Sequence, residues 1–429
     1  MSFRSRVISF SAALVLSVCA AGPLHAGSDP AIVKNEVLVK HDDQQYMEVR
    51  HIVLKGTNEQ IGKALADIAR ESYQTKLTRY ADPLYGRARL AYMETNYPIL
   101  RERMKGVARS FGLPPDDVVY DTSFLNFGTG GPECSAVFIP AAFSATGTNF
   151  YAANRDYYLA SRSEVMGGKR QPGERDVTSQ IFVIELYPDK GYPSIAVGSM
   201  ELLNGPVDLV NSKGLAVAAL EDDTFGMGRV FGDPSRMSGL SLYQACRLII
   251  DTCATVDEAK QAILDNKIVM AILPVHMIVM DSSGKSFIYE KSSADFSDRF
   301  IDNDGKPQVI TNHSVADYPT LDKFPAPAND SYDTFNRYRS LDGYVKAHTG
   351  PFSYDDGRDA MSLAYGRVNE ASEGGYHKLP LRTLYTALVD IEKRSVWLKV
   401  YSRDGKIDPK DGLPELAFSR PLEFQLRKE

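Results

Sequence analysis

GGPECSAVFIPAAFSATGTNFYAANRDYY, residues 130–158, is the stretch whose reading decides the fold. Two glycines and a proline lead up to Cys134. Two apolar runs follow, one on each side of the turn Ala145-Thr-Gly147, and an Asn-Arg-Asp triplet closes the second run. Short apolar runs around a glycine-bearing turn read as a β-hairpin. A hairpin sets residues far apart in sequence side by side, so Arg155 and Asp156 return next to Cys134 where the strands pair. A carboxylate and a guanidinium beside a thiol set its charge state and that of any adjacent amine. The residues alone leave two readings of Cys134: a reactive thiol, or a buried cysteine beside a structural salt bridge.

Beyond this hairpin the texture stays that of paired short strands. Pro188-Asp-Lys-Gly191, Asn211-Ser-Lys-Gly214, Asp281-Ser-Ser-Gly284 and Glu392-Lys-Arg394 punctuate apolar runs and predict further hairpins of one or two sheets. Helical spacing interrupts them near 239–265, 333–348 and 356–366. Upstream, HIVLKGTNEQIGKALADIARESYQ turns from a short strand through Gly56 into an amphipathic helix, and helical patterning continues through most of 63–111. The expected class is α+β, with sheets packed under helices. PTLDKFPAPANDSYD is the best candidate for a long surface loop.

The first 26 residues read as a secretory signal peptide. Arg4 and Arg6 form the positive region, VISFSAALVLSVCAA the apolar one, and Pro23 to Ala26 the small-residue exit. Bulky Val18 argues against the competing lipid-attachment reading at Cys19. No later run approaches the roughly 18 apolar residues of a membrane helix. Removing the signal takes Arg4 and Arg6 and no acid, so the formal charge goes from −6 to −8, which argues against nucleic acid or anionic membrane as partners. The expectation is a secreted or periplasmic protein. Cys134, Cys246 and Cys253 remain, an odd number, so at least one thiol stays unpaired within the chain. Cys246 lies in the helical pattern SLYQACRLII, and Thr255-Val-Asp-Glu258 reads as a capping box opening the next helix. Cys246 and Cys253 are therefore packing residues, and Cys134 is the thiol to explain.

Several catalytic signatures are missing: HExxH, GxSxG, the P-loop and CxxC. Seven scattered histidines lack metal spacing. Ser282-x-x-Lys285 falls in a hairpin turn and reads as a turn.

The pieces IVLKGTNEQIG, CSAVF, NRDYY, LVNSKGLAVAAL, VITNH and DTFNRYR, in that order over most of the mature chain, resemble the N-terminal-nucleophile (Ntn) hydrolases of the penicillin acyltransferase type. That group is the acyl-coenzyme A:6-aminopenicillanate acyltransferase family, and more distantly the choloylglycine hydrolases and acid ceramidases. The resemblance implies a four-layer αββα sandwich, self-cleavage between Glu133 and Cys134, and a freed Cys134 that is nucleophile and, through its α-amine, base. Residues 27–133 would form a mainly helical α chain and residues 134–429 the catalytic β chain, the two staying associated. It further implies that Asp156 holds the amine, that Asn312 donates to the oxyanion, and that Arg337 or its neighbour Arg339 lies in the site. No metal or organic cofactor is implied, and the expected partner is a small N-acyl amide.

Two departures stand out. AANRDY puts Ala153 where the family's GRNxDY pattern has its arginine, and Arg155, beside Asn154 and Asp156, falls on the opposite side of an ideal strand from the aspartate. Glu221-Asp222-Asp223 stands where bile-salt-type relatives carry an asparagine, which argues against bile-salt-like recognition and for an acidic rim or merely an acidic loop. Hydrolysis of a linear amide is the leading reading. The competing ones are acyl transfer through the same thioester, an inactive secreted binding protein on this fold, and a conventional cysteine protease, for which His313 is the histidine to check.

Overall fold

The structure, a computed structural model, describes residues 32–126, 133–205, 207–225, 233–270, 274–326, 333–371 and 379–427. The signal peptide, the Gly130-Gly131-Pro132 approach to Cys134 and part of the 319–333 loop lie outside the described residues.

Two large sheets carry the molecule. The first has nine strands: β1 (Ile32–Val39), β2 (Glu48–Gly56), β7 (Gln180–Pro188), β8 (Ser194–Gly198), β9 (Asp208–Asn211), β10 (Leu215–Glu221), β13 (Val275–Asp281), β14 (Ser286–Lys291) and β15 (Asp298–Asp302), paired in that order. Among the described residues of this sheet, β2 and β7 are the one parallel pair. The second sheet runs β16 (Gln308–Ile310), β5 (Glu133–Ile139), β6 (Phe150–Tyr158), β18 (Leu379–Asp390), β19 (Ser395–Ile407) and β20 (Pro414–Phe418). β17 (Arg367–Ala371) pairs with β18, and β21 (Leu422–Gln425) with β19. Two short ladders, β3 (Thr78–Arg79) with β4 (Tyr120–Asp121) and β11 (Leu240–Ser241) with β12 (Ile268–Val269), tie loops together.

Three apolar clusters separate four layers. On the outer face of the first sheet, Phe182, Leu209, Val217 and Met277 pack under α1 (Asn58–Tyr73), α2 (Pro83–Asn96), α3 (Pro98–Ser110), α5 (Leu242–Thr252) and α6 (Val256–Leu264). Between the sheets, Val183, Ala218 and Ile278 meet Ala136, Phe138, Ala153 and Tyr385, and Cys134 belongs to this layer. Outside the second sheet, Val137, Ile139, Phe150 and Ala152 meet Leu341 of α7 (Thr334–Ala347) and Ala360 and Met361 of α8 (Tyr354–Ser362). This is the expected αββα order, and β5 and β6, buried on both faces along their whole length, are its middle. α4 (Arg162–Val165) is a single turn after β6.

The predicted hairpin turns join β7 to β8, β9 to β10, β13 to β14 and β18 to β19, all antiparallel. Thr57 and Gln60 form the capping box that starts α1. At α6 the expected box is displaced by one residue: Thr255 caps the Glu258 N–H, while the Glu258 carboxylate accepts from Ala254 at 2.6 Å. The stretch 32–126 is not only helical, since it gives β1 and β2 to the first sheet. Its helices are fastened there by close contact. A Cβ on Gly62 would sit 2.1 Å from the Arg103 carbonyl, and one on Gly106 2.0 Å from that of Glu59, so only glycine lets α1 and α3 touch. That approach drives Arg103 onto buried Asp251 of α5 at 2.6 Å. Burial works against the Asp251 charge, but Arg103 and Arg247 outweigh it and hold the carboxyl at about 2.

Candidate active site

Strand alternation decides what meets Cys134. β5 and β6 pair with Cys134 opposite Arg155, Glu133 opposite Asp156 and Ser135 opposite Asn154. Partners directly across a ladder project to the same face. The Cys134 thiol and Arg155 therefore lie between the sheets, while Glu133, Asn154 and Asp156 face α7 and α8. The sequence placed Arg155 across the strand from Asp156. Cys134 shares the arginine's side.

Arg155 is fixed by a residue the sequence reading passed over. Asp208 of β9 accepts from its Nε at 3.0 Å and from a terminal nitrogen at 2.6 Å, and the Ala219 carbonyl accepts at 2.9 Å. Such a two-pronged fork holds the guanidinium in one plane. The signal was present in VDLVN, where one acid interrupts an apolar strand. A bulge in β18, where Thr383 faces Asp156 and Tyr385 faces Arg155, widens the other flank of β6. The Tyr385 hydroxyl donates to Asp208 at 3.2 Å.

Burial pushes the Cys134 thiol up to about 12. Arg155 opposes that rise, and Asp156 and Asp208 add to it. In the uncut chain this is a protonated thiol, 1% exposed.

Two distant segments converge on the backbone of Cys134. Its N–H donates to Asn312 Oδ1 at 2.6 Å, and its carbonyl accepts from Arg337 at 2.5 Å. Arg337 also donates to Ser135 Oγ at 3.0 Å, to Asn312 Oδ1 at 3.0 Å and to the Glu133 carboxylate. Of the two arginines left open by the sequence, Arg337 stands at Cys134. Arg339 points elsewhere, onto Asn336, the Pro325 carbonyl and the ring of Phe324. Asn312 presents its acceptor to the Cys134 nitrogen and gives its Nδ2 to the Glu221 carbonyl at 2.9 Å, so in this arrangement the amide donor is turned from Cys134.

The loop carrying Asn312 is held from behind. Thr334 Oγ1 accepts from the Asn312 N–H at 2.8 Å, and Asp223 N–H donates to the Asn312 carbonyl at 2.8 Å. Buried Glu290 accepts from Val315 N–H at 2.6 Å, Ser314 Oγ at 2.9 Å and Ala316 N–H at 3.1 Å, while His276 Nε2 lies 2.8 Å from the Thr311 carbonyl. None of these supports was read from the sequence, since each acts across more than twenty residues. His313 sits apart, stacked on Phe335 at 4.5 Å with Nδ1 against the hydroxyls of Thr311 and Thr334. Burial lowers its pKa to about 3.

Acids gather around this centre. Glu133 is raised by burial against the pull of Arg337, with Asp156 adding to the rise. Glu221 is raised well above the usual range by desolvation and then by Glu133 and Asp222. Asp222 itself turns to Thr224 at 2.7 Å. Among the described residues no group of three or more His, Cys, Asp or Glu is arranged to hold a metal ion, and no helix is long and apolar enough to cross a membrane.

The four-layer αββα sandwich is the Ntn-hydrolase fold, and within it the backbone nitrogen and carbonyl of Cys134, the second residue of β5, are each held by a side chain from a distant segment. The family model of the acyl-coenzyme A:6-aminopenicillanic acid acyl-transferases matches residues 146–404, and the chain belongs to that family. It is an enzyme acting on amide bonds. The matched region, 146–404, opens after Cys134, so Cys134 is outside it. No curated protein matches. Among solved structures the chain is similar to two mutant forms of conjugated bile acid hydrolase from Clostridium perfringens. One is 16% identical with a TM-score of 0.44, covering 67% of this chain and 96% of that one. The other is 14% identical with a TM-score of 0.44, covering 69% and 98%. It is also similar to penicillin V acylase from Agrobacterium tumefaciens, at 15% identity and a TM-score of 0.41, covering 66% and 85%.

Proposed function

We propose that this chain is exported, cuts itself between Glu133 and Cys134, and then hydrolyses a linear amide C–N bond of a small N-acyl substrate through a thioester on Cys134. The observation that carries the reading is the convergence of Asn312 and Arg337 on the nitrogen and carbonyl of Cys134. A cysteine that serves only as core needs no side chain from another segment at its backbone nitrogen.

The chemistry balances without a cofactor. Cys134 Sγ attacks the Glu133 carbonyl carbon, the C–S bond forms, the C–N bond breaks, and the thiol proton passes to the departing nitrogen. Water then hydrolyses the thioester, leaving the Glu133 carboxylate, a free thiol and a free α-amine. That amine has a reference pKa of about 7.7–8.0, so near neutral pH it takes the thiol proton that the uncut chain retains. Asn312 Oδ1, already on this nitrogen, orients it, and Asp156 beside it favours its protonated form. In turnover the thiolate attacks the substrate carbonyl and expels the amine, and water resolves the acyl-enzyme. The oxyanion role of Asn312 requires its Nδ2 to leave the Glu221 carbonyl. Export rests on the charged, apolar and small-residue regions in order over residues 1–26.

The test is an intact-mass measurement of protein from the periplasm or medium. The expected result is two associated chains, the second beginning at Cys134, and one uncut, inactive chain for Cys134→Ala. A single uncut wild-type chain that turns over N-acyl amides would refute the reading. The family's name favours a second outcome, acyl transfer. N-acyl amides assayed with and without coenzyme A separate the two, because strict dependence on it would replace hydrolysis by transfer.

A further inference from the structure

We propose that Cys134, Arg155 and Asp208 act as one unit: Arg155 donates to the sulfur and is the counter-ion of the thiolate, and Asp208 positions the guanidinium and shares its charge. This rests on the proposed function only in taking Cys134 as the nucleophile. Arg155 lies directly across the ladder from Cys134, and its side chain hydrogen-bonds the thiol. Asp208 reaches it from the other sheet and is 1% exposed. Its carboxylate takes Nε at 3.0 Å and one terminal nitrogen at 2.6 Å, while the Ala219 carbonyl takes the other terminal nitrogen at 2.9 Å. The hydroxyls of Tyr385, at 3.2 Å, and Tyr151, at 3.5 Å, hold the carboxylate in turn. The guanidinium is thereby fixed in one plane beside the sulfur.

Stability alone is a poor account of this pair. The layer between the sheets is apolar, and two desolvated charges there are often no more stable than an apolar pair in their place. The other two thiols have no cation hydrogen-bonded to them among the described residues: Cys246 lies on Met277 Sδ at 3.5 Å and Cys253 on Thr252 Oγ1 at 3.6 Å. At Cys134 the two charges pull in opposite directions. Arg155 favours the thiolate and Asp208 opposes it, with Arg155 the larger influence. The other ionisable groups around the sulfur are Asp156 on β6, Tyr385 on β18 and Tyr243 on α5, and burial keeps both phenols neutral. Once the cut frees the α-amine, the thiol proton has an acceptor, and the charge left on sulfur already has its cation. A guanidinium keeps that charge at every working pH, which the amine does not.

The test is the titration of Cys134, followed by the ultraviolet absorbance of its thiolate, with each chain read as the difference from the same chain carrying Cys134→Ala. Arg155→Gln should move the midpoint up by about 1–3 pH units, and Asp208→Asn should move it down by a smaller amount. A merely structural pair would not give opposite signs for its two halves, since the loss of either would act through the fold alone. Arg155→Gln with Asp208→Asn leaves two neutral amides, and its midpoint should stay above that of wild type. This double variant decides the matter where circular dichroism finds a single variant unfolded. Midpoints that both single substitutions leave in place, or move the same way, overturn the proposal, as does a double variant at or below wild type. Self-cleavage is read separately by mass. A cut, active chain whose Cys134 titrates alike in every variant removes this inference and leaves the proposed function standing.

Discussion

Arg337 and Arg339 stand two residues apart on α7 under opposite demands. Arg337 is buried with four acceptors around it, and its removal leaves the Glu133 carboxylate without its cation in the interior. Arg337→Ala should cost about 3–5 kcal/mol by urea unfolding of the uncut chain, and cleavage before Cys134 should stop. Arg339→Ala gives up a half-buried ring contact and should cost about 1 kcal/mol or less, with cleavage unchanged. The sequence left the two arginines open, and it is the structure that puts Thr334, Arg337 and Leu341 on the buried stripe of the helix and Arg339 off it. The neighbourhood of Cys134 and Asp156 was legible, because one hairpin joins them. The partner of Arg155 was not, because Asp208 comes from the other sheet and no local spacing links the two.

At the scale of elements, the loop from Thr311 to Ala316 depends on Glu290 of β14 and His276 of β13. Glu290→Ala would leave Ser314 Oγ and the Val315 and Ala316 N–H groups without that acceptor, each worth about 1–3 kcal/mol when buried. The expected outcome is faster amide exchange confined to residues 311–316, slower self-cleavage, and an otherwise intact sheet, read by hydrogen exchange. Burial lowers the His276 pKa, but the Glu290 hydrogen bond and the Asp222 charge outweigh it and leave the value above normal. The charged imidazole therefore stabilises the loop fully below about pH 6.5, and that contribution is lost as pH rises through the elevated value. Helix starts and hairpin turns were readable because each is decided within about four residues. The clamp on this loop was not, because residues 276, 290 and 311 meet only once the first sheet has packed on the second.

For the whole molecule, the three buried thiols set an alkaline limit. Burial raises Cys134 and Cys246 to about 12 and Cys253 to about 11, against an ordinary value near 9. The folded chain keeps these protons where the unfolded chain sheds them. Their contribution to stability is complete below pH 9 and disappears as pH rises from there towards 12. Above pH 9 the urea midpoint of a chain carrying both Cys134→Ala and Cys246→Ala should fall less steeply than that of Cys134→Ala alone, because one fewer buried thiol resists ionisation. Equal slopes would show that Cys246 contributes nothing to the alkaline limit. The layer order was expected from the resemblance. The contribution of residues 32–56 to the first sheet was visible only as a short strand before Gly56.

β2 lies between β1 and β7, in parallel with β7 along nine residues, while its own chain would end at Glu133 after the cut. Under the proposed cut the first sheet would be woven from two separate polypeptides, and β2, paired on both sides, would have to find its place between β1 and β7 without the covalent link that first put it there. Folding would then happen once, in one piece, and the cut molecule would persist by the slowness of its unfolding rather than by an equilibrium it can revisit. Uncut Cys134→Ala should recover its circular dichroism after heating and cooling. The cut enzyme should not, and its apparent melting temperature should climb with scan rate.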